Sequence, residues 1–493
     1  YYIHSNGYWN GDSIYIPGKG TVKLTTKSGD SSHKRYNNLN WKVDCVTNTG
    51  TGHEGFKVIT KDGLTYYFTQ KKIVRSIKDL NLQPQVHQCR SNCPLPTLAP
   101  LGDAPRLSRY PQYHYFMLAT KIQDRFGNWV KYAYDSKGLV TRIYANDGRN
   151  ITISSRNGRI ESITANGRQW RYRYDDYRLS TLKEVERPDG KLWRFAHDKS
   201  SSNTFWWHVN IAKHSQIPTR GIDCIEGGAR DFVDITHPEG ARGSFVVDEV
   251  CHGQSNIPKL RKVDPSRSGV DSFWFPKAYA TFALRDKSII LTSGEQYKWN
   301  YTYSSNEGLF RGETIRARHR LSFGVSGVET AHLSSTTLEH HDGSKEIHYF
   351  DRKHGSSQGN LRYVETYSSS GSLLQRKSMT YANGAFHGTA KMYLNVTGSQ
   401  DPFSANDIKN GYSAEQIQRL TKSIITQISS FNDSDNYVTQ FSSFDSYDLP
   451  SLKYEYNSTG SQKRYTKTNY FHDTRHWLLG LHAKTAISAN GSN

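Results

Sequence analysis

Apolar and polar positions alternate with a period of two along much of this chain, and glycine interrupts the alternation at regular distances. The clearest stretch runs from Lys121 to Asp198. Aligned on glycine it reads Gly127-Asn-Trp129-Val-Lys-Tyr132-Ala-Tyr134-Asp135, then Gly148-Arg-Asn-Ile151-Thr-Ile153, then Gly167-Arg-Gln-Trp170-Arg-Tyr172-Arg-Tyr174-Asp175, then Gly190-Lys-Leu192-Trp193-Arg-Phe195-Ala-His197-Asp198. The glycines are 21, 19 and 23 positions apart, and return segments such as Gly138-Leu139-Val140-Thr-Arg-Ile143 and Gly158-Arg-Ile160-Glu-Ser-Ile163 lie between them. Each period therefore predicts one β-hairpin: a turn, an aromatic-polar strand, a second turn and a second strand. Strand side chains point to opposite faces, so Trp170, Tyr172 and Tyr174 are expected on one face and Arg171 and Arg173 on the other. Asp147-Gly148, Asn157-Gly158, Asn166-Gly167 and Asp189-Gly190 supply the positive φ that tight hairpin turns need. A lone hairpin is marginal in water, and neighbours stacked side by side are what cover the aromatic face.

The Gly-x-x-x-x-Tyr-x-Tyr-Asp string followed by Gly-x-Leu/Ile-x-x-Ile resembles the tyrosine–aspartate (YD) repeat of the bacterial Rhs family, which also occurs in Tc insecticidal toxins and teneurins. Tyr132, Tyr134, Asp135, Tyr172, Tyr174 and Asp175 fall on the naming positions, with Gly127, Gly167 and Gly190 opening their units. The second and fourth units lack the Tyr pair and are degenerate. The resemblance implies an all-β spiral of tandem hairpins forming part of a hollow shell, whose contents are a toxin or effector from the C-terminal part of the same polypeptide. It also implies secretion-apparatus proteins as partners and a secreted or cell-surface location. In that family a core segment that closes the shell and cleaves itself follows the repeats; nothing after Leu481 matches it.

The pattern divides the chain into four expected regions. Residues 1–112 are lead-in hairpins, among them Glu54–Ile59 with Asp62–Phe68, ending in a Pro- and Cys-rich irregular loop over 83–112. Residues 113–200 carry the clear repeats and 201–396 degenerate ones, including strands at Phe232–Ile235, Gly243–Val247, Ser272–Phe275, Tyr297–Tyr303 and Ile347–Asp351. Residues 397–493 hold a loop, one short amphipathic helix near 413–425, predicted by the Ser413-x-x-Gln416 capping box and by Ile417, Leu420 and Ile424, and the last strands.

Composition agrees with a wet, turn-rich β chain: 13% aromatic, 39 glycines, 3 methionines, and a hydrophobic fraction of only 35% over 493 residues. The formal charge of +19 comes from 64 Lys and Arg against 45 Asp and Glu, spread between apolar strand positions without a like-charge run. Solvated strand faces explain that pattern, and nucleic acid is not an expected partner despite Trp170-Arg-Tyr-Arg-Tyr174. No stretch approaches the roughly 18 apolar residues of a spanning helix. Tyr1 and the absence of a signal pattern read as an internal fragment of a longer chain.

Five cysteines, an odd number, leave the expectations open: disulfides or free thiols, with Cys224–Cys251 and Cys45 with Cys89 or Cys93 as plausible pairs, or a metal site around His87, Cys89 and Cys93. Without a second ligand cluster no metal is assigned. No nucleophile elbow, zinc-protease motif or phosphate loop occurs, and Glu339-His340-His341-Asp342 and His472-Asp473-x-Arg475-His476 read as solvated turns, so no catalytic residue and no cofactor are expected. The competing function is a surface adhesion module that binds glycans through Trp206 and Trp207.

Overall fold

The computed structural model describes residues 2–3, 13–26, 35–37, 39–47, 54–75, 80–83, 108–110, 113–175, 181–197, 230–256, 278–304, 308–309, 312, 331–353, 357–384, 423–432, 435–460 and 462–489. Within them the chain is all-β and forms one antiparallel ribbon of more than twenty strands, from Thr25–Thr26 through Leu478–Ser488. Successive strands are neighbours, except that Thr65–Arg75 pairs with Tyr113–Gln123 across the intervening segment. No ladder joins the last strand to the first among the described residues. Two small sheets stand beside the ribbon: the hairpin Ser13–Ile16/Gly20–Lys23 and the triplet Tyr2–Ile3, Leu80–Gln83, Ser108–Tyr110.

The turns follow their sequences. At Asn157-Gly158 and Asn166-Gly167 both residues take positive φ (52° and 80°, 50° and 72°), the mirror-image turn whose twist suits paired strands. At Asp135-Ser-Lys-Gly138 only the glycine does so. Register then keeps like with like across the ribbon. Tyr132 faces Ile143, which faces Ile151; Ile153 faces Ile163, which faces Trp170; Tyr172 faces Val185, which faces Trp193; Phe195 faces Ile235. The result is an apolar stripe crossing the hairpins from Tyr132 to Ile235 on one face, stabilised by cross-strand pairs.

Among the described residues that stripe has no second layer over most of its length. In Arg168–Tyr174 the aromatic residues are half-buried and the arginines exposed, and no described residue from Phe116 to His197 is fully buried. Full burial concentrates elsewhere. The hairpin Ser13–Lys23 packs on the lead-in strands, where Ile16, Trp41, Val43, Val58 and Tyr66 form a compact core.

Two expectations change. The helix near 413–425 is not found at its described end: Ser423, Ile424 and Ile425 pair with Asn383, Ala382 and Tyr381 as the start of a strand, and residues 413–422 lie outside the described residues. Three β-branched isoleucines at Ile424, Ile425 and Ile428 fit a ladder better than a helical turn. The loop at 83–112 is also not wholly irregular, because Ser108–Tyr110 pairs with Leu80–Gln83. Residues 84–107 and the expected strand 272–275 lie outside the described residues.

Candidate functional site

Within each repeat the named residues have separable structural roles. Asp135 caps its own turn, its Oδ1 accepting from the amides of Lys137 (2.9 Å) and Leu139 (2.8 Å). Asp124 and Asp445 do the same for the amides two and four residues on. A short acceptor beside amides that the ladder cannot use holds the turn closed. Gly127, Gly167 and Gly190 occupy turn positions with φ of 92°, 72° and 80°. Tyr132 and Tyr172 lie mid-strand on the apolar stripe, and the Asp175 amide donates to Thr181 O at 2.9 Å.

The second tyrosine of the motif is a latch between strands. The hydroxyls of Tyr134, Tyr303, Tyr381 and Tyr470 donate to the backbone carbonyls of Ala119, Leu284, Leu361 and Pro450, the last three at 2.8, 2.8 and 3.1 Å. Each tyrosine stands three residues beyond the last ladder pair with the preceding strand, and each acceptor two residues before the paired partner. At three of the four, the acceptor precedes a residue that the next ladder skips: Thr120, Arg285 and Arg362. At the fourth, Ser451 is passed over opposite Ser443, itself at φ 53°. A bulge bends a strand and splays it from its neighbour, and the phenol bridges the gap. Burial pushes the Tyr134 hydroxyl up to about 12 and raises those of Tyr303 and Tyr381. Tyr174 holds the same register position without the carbonyl bond and meets the Arg159 guanidinium at 5.8 Å instead; His197 fills the slot in the fourth unit.

Opposite the stripe the ribbon is charged. Arg171 pairs with Glu186 (3.2 Å), Arg173 with Glu184 (3.2 Å), and Arg194 with Glu184 (3.5 Å), a cross-strand ladder open to solvent. Exposed pairs of this kind contribute little to stability; they keep that face soluble.

Further along, polar groups are buried in the sheet itself. Glu365, 5% exposed, accepts from the Tyr349 and Tyr367 hydroxyls at 2.8 Å each and pairs with Arg376. Burial and the Glu365 carboxylate push the Tyr367 hydroxyl up to about 12. Arg352, also 5% exposed, donates to Ala331 O and Gly253 O, and burial lowers its guanidinium to about 10. Beside it His332 Nδ1 is 2.9 Å from the Ser255 hydroxyl, and burial, with Lys353 and Arg352 nearby, depresses the imidazole. Ser255 is wholly buried and His332 half-buried.

The ribbon's last hairpin returns to its lead-in at a seam. Trp477 Nε1 donates to Asn40 O (2.7 Å), Asn40 Nδ2 to Tyr447 O (2.9 Å), and Leu479 N to Lys61 O (3.0 Å), while Asp62 bridges Leu478. Lys42 stands over the Trp477 ring at 5.7 Å. Alongside lies a surface cavity of about 480 Å³, lined by Lys61, Asp62, Arg125, Phe126, Leu478 and Leu481. Nothing in the sequence announces these pairings, which span more than 400 positions.

The remaining expected sites fall as follows. Cys251 is buried and disulfide-bonded, Cys45 is an exposed free thiol rather than a partner of Cys89 or Cys93, and Cys89, Cys93, Cys224, Trp206 and Trp207 lie outside the described residues. Asp342 accepts from the Ser344 amide at 2.9 Å and His341 packs its ring on Tyr297 at 4.9 Å, so that cluster serves a turn. No group of three His, Cys, Asp or Glu side chains among the described residues is placed to hold a metal ion.

No protein-family model and no curated protein matches the chain. Among solved structures, the crystal structure of TcdB2-TccC3-TEV is similar over 92% of this chain and 21% of that chain at 10% identity, with a TM-score of 0.18. That of TcdB2-TccC3 is similar over 94% and 25% at 10% identity, TM-score 0.20. That of TcdB2-TccC3 without its hypervariable C-terminal region is similar over 91% and 21% at 9% identity, TM-score 0.17. The similarity is weak, and the chain spans a quarter or less of the length of these structures.

Proposed function

We propose that this chain is a wall: a segment of a shell that encloses a polypeptide, namely a toxin or effector carried by the same, longer chain and delivered by a secretion apparatus to the outside of the cell. The observation that carries the reading is the seam, where a ribbon of more than twenty strands comes back to its own lead-in. At about 4.8 Å per strand such a ribbon is roughly 100 Å long. Side chains fill the interior of a closed sheet only up to about eight strands, and larger circuits enclose solvent. The half-buried stripe fits the same reading, since a sheet without a second layer is wet on both faces. Sequestration is then the mechanism. A wall of hydrogen-bonded strands hinders a protease, and the enclosed chain is shielded until the wall opens.

The test is limited proteolysis of the longest natural polypeptide that contains this segment. The reading predicts a downstream polypeptide that resists digestion while the ribbon is intact and is degraded once denaturant opens it. Equal digestion in both states contradicts the reading.

A further inference from the structure

Three parts of the chain that lie far apart in sequence meet around the cavity beside the seam. Lys61 and Asp62 come from a lead-in turn, Asp124 to Phe126 from the turn that opens the first repeat, and Leu478, Leu479 and Leu481 from the last hairpin. At about 480 Å³ the cavity falls in the range of small-molecule sites, which combine an apolar lining with a few polar groups.

Its apolar part is held firmly. Leu479 is buried and its amide donates to Lys61 O at 3.0 Å, Leu478 lies against Gly63, and Leu481 is 38% exposed. The hairpin that carries these leucines is fixed in turn: the Gly480 amide donates to His472 Nδ1 (3.1 Å), and His472 Nε2 is 3.0 Å from Asp445 Oδ2. Phe126 adds a ring that is 75% exposed. Its turn is rigid, because Asp124 Oδ1 accepts from the Phe126 and Asn128 amides at 2.9 Å each and Oδ2 from Asn128 Nδ2 at 2.9 Å. A ligand that covers such preordered apolar groups removes them from water at little cost in ordering.

The charges around the cavity are not evenly matched. Asp124 is occupied by its own turn, and Asp62 accepts from the Thr60 hydroxyl and pairs with Lys19 at 3.5 Å. Lys61 and Arg125 have no carboxylate partner among the described residues. Arg125 lies on the Phe126 ring, its guanidinium carbon 4.7 Å from the centroid. That stacking uses the face of the guanidinium and leaves its in-plane N–H donors for a carboxylate.

The lining thus suits a ligand with apolar surface and one anionic group. Among the described residues no neutral hydrogen-bonding side chain lines the cavity. A peptide seated there would have its amides stripped of water with few partners, which is costly; an acyl chain has no such groups to satisfy.

We propose that this cavity binds a medium-chain fatty carboxylate, with the acyl chain along Leu478, Leu481 and Phe126 and the carboxylate on Arg125 and Lys61. Because the lining comes from both sides of the seam, occupancy ties the last hairpin to the lead-in, and a ligand that binds only the joined form stabilises it by mass action. The site stands whether or not the ribbon encloses a polypeptide.

The experiment is calorimetric titration of the full chain with decanoate, with hexanoate and octanoate to read the dependence on chain length and decylamine as the same chain bearing the opposite charge. Each added methylene should tighten binding about three- to fourfold, and decylamine should bind at least about tenfold more weakly than decanoate. Arg125→Gln combined with Lys61→Gln alters two exposed side chains and should weaken decanoate about tenfold, the size of two exposed ion pairs together, while erasing the preference over decylamine. Hydrogen–deuterium exchange locates the site: with decanoate at about a hundred times its Kd, openings that empty the cavity become about a hundredfold rarer. Peptides covering 60–64 and 473–482 should then gain protection and those covering 150–165 should not. Absence of decanoate binding, equal affinity for decylamine, an affinity unchanged in the double variant, or protection gained evenly along the chain overturns the proposal. Tighter binding of acetyl-trileucine than of decanoate overturns it too, since the site would then select a peptide C-terminus.

Discussion

Replacing Tyr381 by Phe removes one oxygen and nothing else, which makes it the cleanest probe of the interstrand latch. Its hydroxyl donates to Leu361 O at 2.8 Å from a half-buried position, immediately before the skipped residue Arg362. A protein hydrogen bond of this kind contributes about 1 kcal/mol net, and the carbonyl left behind in a splayed, partly buried gap pushes the loss toward the upper end of roughly 0.5–1.5 kcal/mol. Tyr134, Tyr303 and Tyr470 occupy the same geometry in separate hairpins, so the four losses should add to about 4 kcal/mol. Tyr132→Phe is the control, since that hydroxyl lies on the stripe with no hydrogen bond to a described residue. Because a repeat array need not unfold in one step, the assay is local: exchange rates of amides in 361–367 and 373–383, alongside the urea midpoint. Tyr381→Phe should accelerate exchange there about five- to tenfold, and the control should leave it unchanged. Equal effects of the two substitutions refute the latch.

Three further outcomes follow from the same contacts. Burial raises the hydroxyls of Tyr134, Tyr303, Tyr381 and Tyr470; a group raised in the folded state holds its proton longer than in the unfolded chain, so this stability is intact below about pH 10 and is lost as pH rises toward the folded value, visible as a fall in urea midpoint between about pH 10 and 12 that is smaller in the quadruple Phe variant, where other raised tyrosines such as Tyr367 still contribute. Asp135→Ala should cost about 1 kcal/mol by freeing the Lys137 and Leu139 amides, whereas Asp135→Asn keeps an acceptor and most of the stability; thermal unfolding distinguishes them. Gly63→Ala places a methyl 2.5 Å from Leu478 at a φ of 81° and should cost about 1–3 kcal/mol at the seam, read as lost protection in 473–482 with repeat peptides unaffected.

The repeats were legible because their information is local. Glycine spacing, Asn-Gly turns and a period of two settle Trp129–Tyr134 through Leu192–His197 before any packing is known, and the alternation in Arg168–Tyr174 follows directly. Less visible was what the motif residues bond to. Tyr134 and Asp135 stand out in the sequence, yet the carbonyl of Ala119 as acceptor depends on which residue the neighbouring ladder skips. The seam was hidden altogether, since Asn40, Tyr447, His472 and Trp477 are ordinary residues whose meeting is fixed by the curvature of everything between them. At Ser423–Ile425 a helical spacing misled, because pairing with Tyr381–Asn383 outweighs a local pattern.

Whether the ribbon walls off a space is decided most directly by electron microscopy of the longest expressible form of this polypeptide, with attention to the interior of the particle. The account predicts a curved wall one sheet thick, about 10 Å, around density that is either solvent or a separate polypeptide. A filled body, with a second layer of secondary structure packed against the stripe from Tyr132 to Ile235, would contradict it.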